Sequence, residues 1–237
     1  MTGDNRSSDP AAISPAAALA ALVALENPEK AAQMAAYHKA PRRYLGLAVP
    51  QIETLVKDWR AACTLDQRVA LAAGLWNSDI HEAMVAAAKL LTQARIKPDD
   101  SAVWALIASW VPGFDAWAVA DHAAKAGERR LVADPSRLDT VETWLDHPNM
   151  WTRRAALTFT LPWAKLTHPK PEQQAQRNRI LGWAARLAEN RDWFEHKAVA
   201  WWIRDLSKHD AAAARAFLAA HGERLKPFAR REAAKYL

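Results

Sequence analysis

Trp117 and Asp121 stand four residues apart, a spacing that on a helix sets an indole beside a carboxylate. Arg154, then Lys197 with Trp201, then Arg231 with Lys235 recur further along the chain. Each lies three or seven residues after a large apolar anchor: Phe114, Trp151, Phe194 or Phe228. Those offsets share one helix face, so a row of stacked helices would turn all of these side chains to a single surface. That surface is basic and aromatic, with one acid among cations. It suits a nucleic-acid groove that acts on a positively charged reacting centre. Aromatic faces attract such a centre by about 1–2 kcal/mol each, and a fixed carboxylate stabilises positive charge where it develops.

The reaction that most needs this set is cleavage of an N-glycosidic bond. As a base departs, the deoxyribose carbon gains oxocarbenium character, and Asp121 would stabilise it or orient the attacking water. Opposite charges about 4 Å apart at an effective dielectric of ~20 interact by ~4 kcal/mol, on the order of a thousandfold in rate. That suffices only for a labile bond, such as that of a purine alkylated at N3 or N7, which leaves from a cationic state. The plainer reading of Asp121 is an ion pair with Arg154, and the sequence leaves both open.

Something must present these residues in a row, and the anchors indicate what. They are separated by 37, 43 and 34 residues, and Ile80 precedes Phe114 by 34. These spacings fall near the roughly 34–47 residues of helical-pair repeats. Abundant alanine and only seven glycines disfavour a sheet-rich fold. The expectation is an all-α chain, a right-handed α-solenoid of HEAT-like helical pairs with a concave basic groove, forming one domain over 15–237 after a disordered segment of residues 1–14. Asn27-Pro28-Glu29 reads as a helix cap followed by a first-turn proline. The polar stretch Lys165 to Arg177, with Pro169 and Pro171, reads as a loop insertion that accounts for the 43-residue interval. Among the twelve tryptophans, Trp76, Trp104, Trp144, Trp183 and Trp202 read as packing residues.

Charge is unevenly placed. Residues 151–237 carry 17 Lys and Arg against 8 Asp and Glu, while residues 1–150 carry 15 against 18. This asymmetry points to a polyanion docking on the C-terminal half. The single cysteine, Cys63, excludes an internal disulfide and a multi-thiolate metal site, and fits a reducing cytoplasm. His81-Glu82 has no second ligand at metal spacing. Residues 15–25 are apolar but lack signal-peptide flanks, so they read as a first helix. No stretch reaches the roughly 18 apolar residues of a membrane span.

Three segments carry a resemblance: Trp117-Ala-Val-Ala-Asp121, Asn149-Met-Trp151-Thr-Arg-Arg154-Ala-Ala and Lys197-Ala-Val-Ala-Trp201-Trp-Ile-Arg204. With Asn27-Pro28-Glu29-Lys30, Met34, Tyr37, Tyr44-Leu45-Gly46, Pro50 and Arg231-Glu232-Ala233, they make the chain similar, over nearly its whole length, to the AlkD-like DNA alkylation repair glycosylases. The resemblance implies that Trp117 and Asp121 are the active-site aromatic and catalytic acid, that Arg154 grips the backbone beside the lesion, and that Trp201 is a second cleft tryptophan. It further implies excision of cationic N3- and N7-alkylpurines from duplex DNA; beside it, the reading is of a monofunctional enzyme, a monomer, in the cytosol and nucleoid. No metal or organic cofactor is expected, and the duplex would be held by its backbone. Tyr37, Arg153, Lys197, Arg204, Arg231 and Lys235 are the expected DNA contacts, Lys197 as a phosphate ligand rather than a Schiff-base lysine. One departure is Ala118 directly after Trp117, where the family often has an acid; Asp115 precedes the tryptophan instead. The rival readings are a catalytically silent binder of damaged or branched DNA and a helical scaffold for proteins.

Overall fold

A computed structural model describes residues 13–237, and among these the regular structure is helical, with one isolated β-bridge between Arg43 and Ile80. The all-α expectation therefore holds. The expected disordered segment 1–14 lies, except for Ile13 and Ser14, outside the described residues. Packing divides the chain at residue 106 into two compact units. No shift in composition announces that division.

The first unit contains α1 (Pro15–Val23), α2 (Pro28–His38), α3 (Val49–Ala62), α4 (Leu65–Trp76) and α5 (His81–Leu91), and α6 (Ser101–Trp110) spans the division. Residues 15–25 do begin with a helix, capped by the Ser14 hydroxyl, which accepts from the Ala17 amide. Asn27 caps α2 by accepting from the Lys30 amide at 3.0 Å, with Pro28 in the first turn as expected. Glu82, which the sequence showed beside His81, is a structural acid. Fully buried, it accepts from the amides of Leu45, Gly46 and Leu47 at 2.8, 2.7 and 3.3 Å. Gly46 has φ +79°, a conformation that a side chain would strain.

The second unit contains α7 (Trp117–Ala133), α8 (Leu138–Thr143), α9 (Met150–Thr158), α10 (Leu161–Ala164), α11 (Pro171–Glu189), α12 (Trp193–Ser207), α13 (Ala211–His221) and α14 (Pro227–Ala233). Its helices form two layers. In one, α7, α9, α12 and α14 pack each against the next; in the other, α11 lies on α9 and α12, and α13 on α11 and α12. This is the alternation that the repeated anchors imply, since a helical pair buries its apolar face only against its neighbours. Trp183 and Trp202 are fully buried between the layers and Trp144 nearly so, while Trp76 and Trp104 are half-buried.

The interval from Lys165 to Arg177 departs from expectation. Only residues 165–170 are loop, because Pro171 opens α11 as its first residue, where a missing N–H costs nothing. Arg177 lies inside that helix, buried, and donates to the carbonyls of Trp163 and Leu166 while pairing with Asp210 at 3.3 Å. A charge-rich segment thus folds as helix because its arginine closes the loop from within.

Gly127 sets how closely α7 sits on the core. A Cβ there would lie 2.1 Å from Cε1 of Phe159, whose ring packs edge-on against Trp144 at 5.1 Å. Gly127→Ala is expected to cost about 2 kcal/mol through overpacking, which a thermal melt should register as a fall in Tm of roughly 4–8 °C. An unchanged or higher Tm would mean that Phe159 can yield its place.

Candidate active site

The site is built on four helices, α7, α9, α12 and α14. The α7 face opposite buried Val119, Ala120 and Ala123 presents Trp117 and Asp121. On α9, the cap comes from Asn149, whose Oδ1 accepts from the Trp151 amide at 3.0 Å. Its Nδ2 donates to the carbonyls of Pro112 and Phe114 at 3.2 and 2.7 Å, and the Thr152 hydroxyl donates to the Val111 carbonyl at 2.9 Å. These carbonyls belong to the turn that leads into α7. The start of α9 is therefore fastened to the start of α7, and that fixes which α9 side chain faces Asp121.

It is Arg154. Its guanidinium donates through both terminal nitrogens to the two carboxylate oxygens of Asp121, at 2.7 and 3.2 Å. The Arg154 side chain is only 4 % exposed and that of Asp121 is 25 % exposed. A buried guanidinium requires a counter-charge, and removing one partner of such a pair costs roughly 3 kcal/mol, toward the lower limit because Asp121 reaches solvent. The forked contact uses one lone pair on each oxygen, and a carboxylate offers about four acceptor sites. Accepting capacity remains for a third group.

That third group would come from a cleft of about 520 Å³, into which both members of the pair reach. Trp117 lines it from α7; Phe194, Lys197, Trp201 and Arg204 line it from one stripe of α12; Phe228 and Glu232 line it from α14. The α12 stripe follows helical spacing, with Ala198, Val199, Trp202 and Ile203 buried between its members. At the rim Trp193 is 53 % exposed and stacks on Phe228 with ring centroids 3.6 Å apart, while Trp151 packs against Phe194 at 4.6 Å. The lining holds three cations and two carboxylates, and each carboxylate is tied to an arginine: Asp121 to Arg154, and Glu232 to Arg204. Among the described residues, no group of three or more His, Cys, Asp or Glu side chains is placed to hold a metal ion.

The structure brings together six of the expected residues: Trp117, Asp121, Arg154, Lys197, Trp201 and Arg204. Arg153 points elsewhere. It donates to Glu195 at 2.6 Å, to Asp192 at 3.1 Å and to the carbonyls of His147 and Pro148, so it serves as a strut from α9 to the start of α12. Burial pushes the Glu195 carboxyl up, against the opposing pull of Arg153. Arg231 is exposed on α14 outside the cleft lining, and Lys235 lies beyond the end of that helix, over the Tyr236 ring at 5.6 Å. The last rung is thus rotated by one residue from the expected register, placing Glu232 in the row. Tyr37 is 69 % exposed on α2 in the first unit. Sequence reasoning missed Trp193 and Glu232. The i, i+4 spacing of Phe228 and Glu232, shared with Trp117 and Asp121, could have found the second; nothing in the pattern marks the first.

A profile of the DNA alkylation repair enzymes matches residues 18–237. No curated protein matches the chain. Among solved structures, it is similar to a protein from Enterococcus faecalis described as a predicted DNA alkylation repair enzyme, at 23 % identity over 90 % of this chain and 96 % of that one, with a TM-score of 0.73. It is also similar to AlkD2 from Streptococcus mutans, at 20 % identity over 81 % of this chain and 91 % of the other, with a TM-score of 0.58. At such identities the likeness speaks to fold, and the fold is that of helical-repeat proteins. The profile, running over almost the entire length, assigns the rest: the chain belongs to the DNA alkylation repair enzyme family.

Proposed function

We propose that the protein is a monofunctional DNA glycosylase that releases cationic N3- and N7-alkylpurines from duplex DNA. The observation that carries this reading is the Asp121 carboxylate, held by the Arg154 fork and reaching a cleft that it shares with Trp117 and Trp201. The C1′–N bond breaks with both electrons passing to the base, which leaves neutral. The positive charge moves to the sugar, where Asp121 faces it. A water then adds at C1′, and its proton passes by way of the remaining carboxylate lone pairs to solvent, leaving an abasic site. Trp117 and Trp201 flank the cation with their ring faces and leave the Asp121 side open to the attacking water.

Lys197 and Arg204 would hold phosphates beside the lesion, with Arg231, Lys235 and Tyr37 as outlying contacts, and Arg154 would hold the acid rather than a distant phosphate. Such contacts position the duplex without reading its sequence. A lyase step is not part of the proposal, because a lysine in a phosphate row needs to remain charged. Membership of a repair family and the excess of cations after residue 150 favour DNA as the partner. Among the described residues no helix is long and apolar enough to cross a membrane.

The forked pair also favours a second reading, in which Asp121 only neutralises Arg154 and the chain binds altered DNA without chemistry. Asp121→Asn separates the two, since the amide keeps the shape and one acceptor but loses the charge. Glycosylase action requires a fall in 7-methylguanine release from methylated duplex by about a hundredfold or more, with duplex affinity changed little. Release at the wild-type rate would leave the silent binder standing.

A second measurement addresses the phosphate row. The logarithm of the affinity for undamaged duplex should fall linearly with the logarithm of salt concentration, and Lys197→Ala should reduce that slope by about 0.9, one phosphate contact. A slope unchanged by the substitution would remove Lys197 from the DNA contacts.

A further inference from the structure

Both ring nitrogens of His196 are committed. The Lys226 amide donates to Nδ1 at 2.9 Å, so Nδ1 must carry a lone pair, and Nε2, 2.5 Å from the Asn190 carbonyl, must carry the proton. Only the neutral imidazole with its proton on Nε2 satisfies both contacts. The ring is buried in the first turn of α12, one residue before Lys197, and Lys226 is the residue from which α14 starts. Phe228 and Glu232 follow within seven residues, and both line the cleft. The N-cap of α14 has no side-chain hydrogen bond of its own, which makes the imidazole the fastening of that turn.

We propose that His196 is a positioning residue for the cleft: its neutral ring latches the start of α14, and protonation at Nδ1 releases that turn, so that Phe228 and Glu232 lose their places opposite Asp121. The proton arrives from solvent at the one nitrogen that accepts from Lys226. The former acceptor becomes an N–H facing an N–H, so the contact to the Lys226 amide is lost while Nε2–H keeps the Asn190 carbonyl.

The surroundings determine which way the group titrates. Facing it are Glu189 and Arg224, paired with each other at 2.6 Å, together with Arg191 and Asp192 from the loop before α12, and Glu223 and Lys226 from the chain leading into α14. On α12 itself the neighbouring Glu195 is engaged by Arg153. Burial holds the imidazole below its ordinary value; the Asn190 carbonyl opposes this, the Lys226 ammonium adds to it, and Asp192 opposes it. Because the folded-state value is lowered, the folded chain binds the proton less readily than the unfolded one. The stabilising contribution is therefore complete above about 6.5, the ordinary imidazole value, and is lost as pH falls below it toward the folded-state value.

The proposal concerns the geometry of the cleft, and only its activity readout rests on the glycosylase reading. Amide hydrogen exchange of the full-length protein, corrected for intrinsic rates, should show protection of residues 227–233 falling by about tenfold per pH unit through that window. His196→Asn keeps an oxygen near the Nδ1 position and cannot titrate. It should hold α14 with protection that does not vary with pH, while His196→Ala should leave the segment weakly protected at every pH. In 7-methylguanine release, wild type should lose kcat/KM on the acid side and His196→Asn should not. Protection in wild type that ignores pH would overturn the proposal, as would a His196→Asn variant with the wild-type pH dependence. If no variant releases base at any pH, the glycosylase reading fails and the exchange data still decide the role of His196.

Discussion

A guanidinium taken out of water needs an anion, and that requirement governs the second unit. Arg154 is almost wholly enclosed, so α7 and α9 can pack only in the register that sets Asp121 across from it. The same register leaves the carboxylate a quarter exposed and open to the cleft. Stability and chemistry are therefore coupled through one pair of side chains. The arginine fixes the orientation of the acid in advance, so the proposed reaction would need no rearrangement when positive charge appears, and such preorganisation is what would make a single carboxylate effective.

The pair is one of a series of contacts that fasten each cleft helix to the next at its beginning. Asn149 and Thr152 tie the start of α9 to the turn before α7. Arg153 ties α9 to the start of α12 through Asp192 and Glu195. His196 ties α12 to the start of α14. Each clasp uses a polar side chain in or just before the first helical turn, where backbone groups lack partners within the helix. Helix ends are left free to differ, and they do: α14 is 7 residues long and α7 is 17. What repeats along the row is the way in which helices begin, which is also why the aromatic anchors recur near those beginnings.

This explains what could be read in the sequence. Offsets of three, four and seven residues from a helix start are set by backbone geometry alone, so Trp117 with Asp121, and Lys197 with Trp201, were legible as shared faces. The all-α class followed from alanine content and spacing for the same reason. Arg153 and Arg154 are adjacent and chemically identical, and the partner across the gap, Glu195 for one and Asp121 for the other, separates a strut from a cleft residue. The register from Trp151 already put Arg154 in the row with Asp121, but no local rule supplies Glu195 and Asp192 as the partners of Arg153. The rotated last rung has a similar origin, because α14 ends before Lys235 could complete its second turn. Residues 171–177, polar and opened by Pro171, fold as helix because composition is overruled by tertiary contact: the Arg177 side chain is buried against backbone carbonyls.

On the proposed DNA-facing surface a carboxylate presents a problem that the second arginine pair helps to explain. Alone among phosphates, Asp121 would repel the polyanion that it has to meet. Paired with Arg154 it forms a neutral dipole, whose field falls off faster with distance than that of a single charge. A phosphate a Debye length away, about 8–10 Å, then sees little of the acid, while a sugar carbon in contact with its free lone pairs sees most of it. Glu232 is treated in the same manner by Arg204, and Lys197, exposed between the two pairs, supplies net attraction. In the proposed function, this arrangement would draw the duplex in by one cation while holding negative charge at short range, the combination that hydrolysis at a transient sugar cation demands.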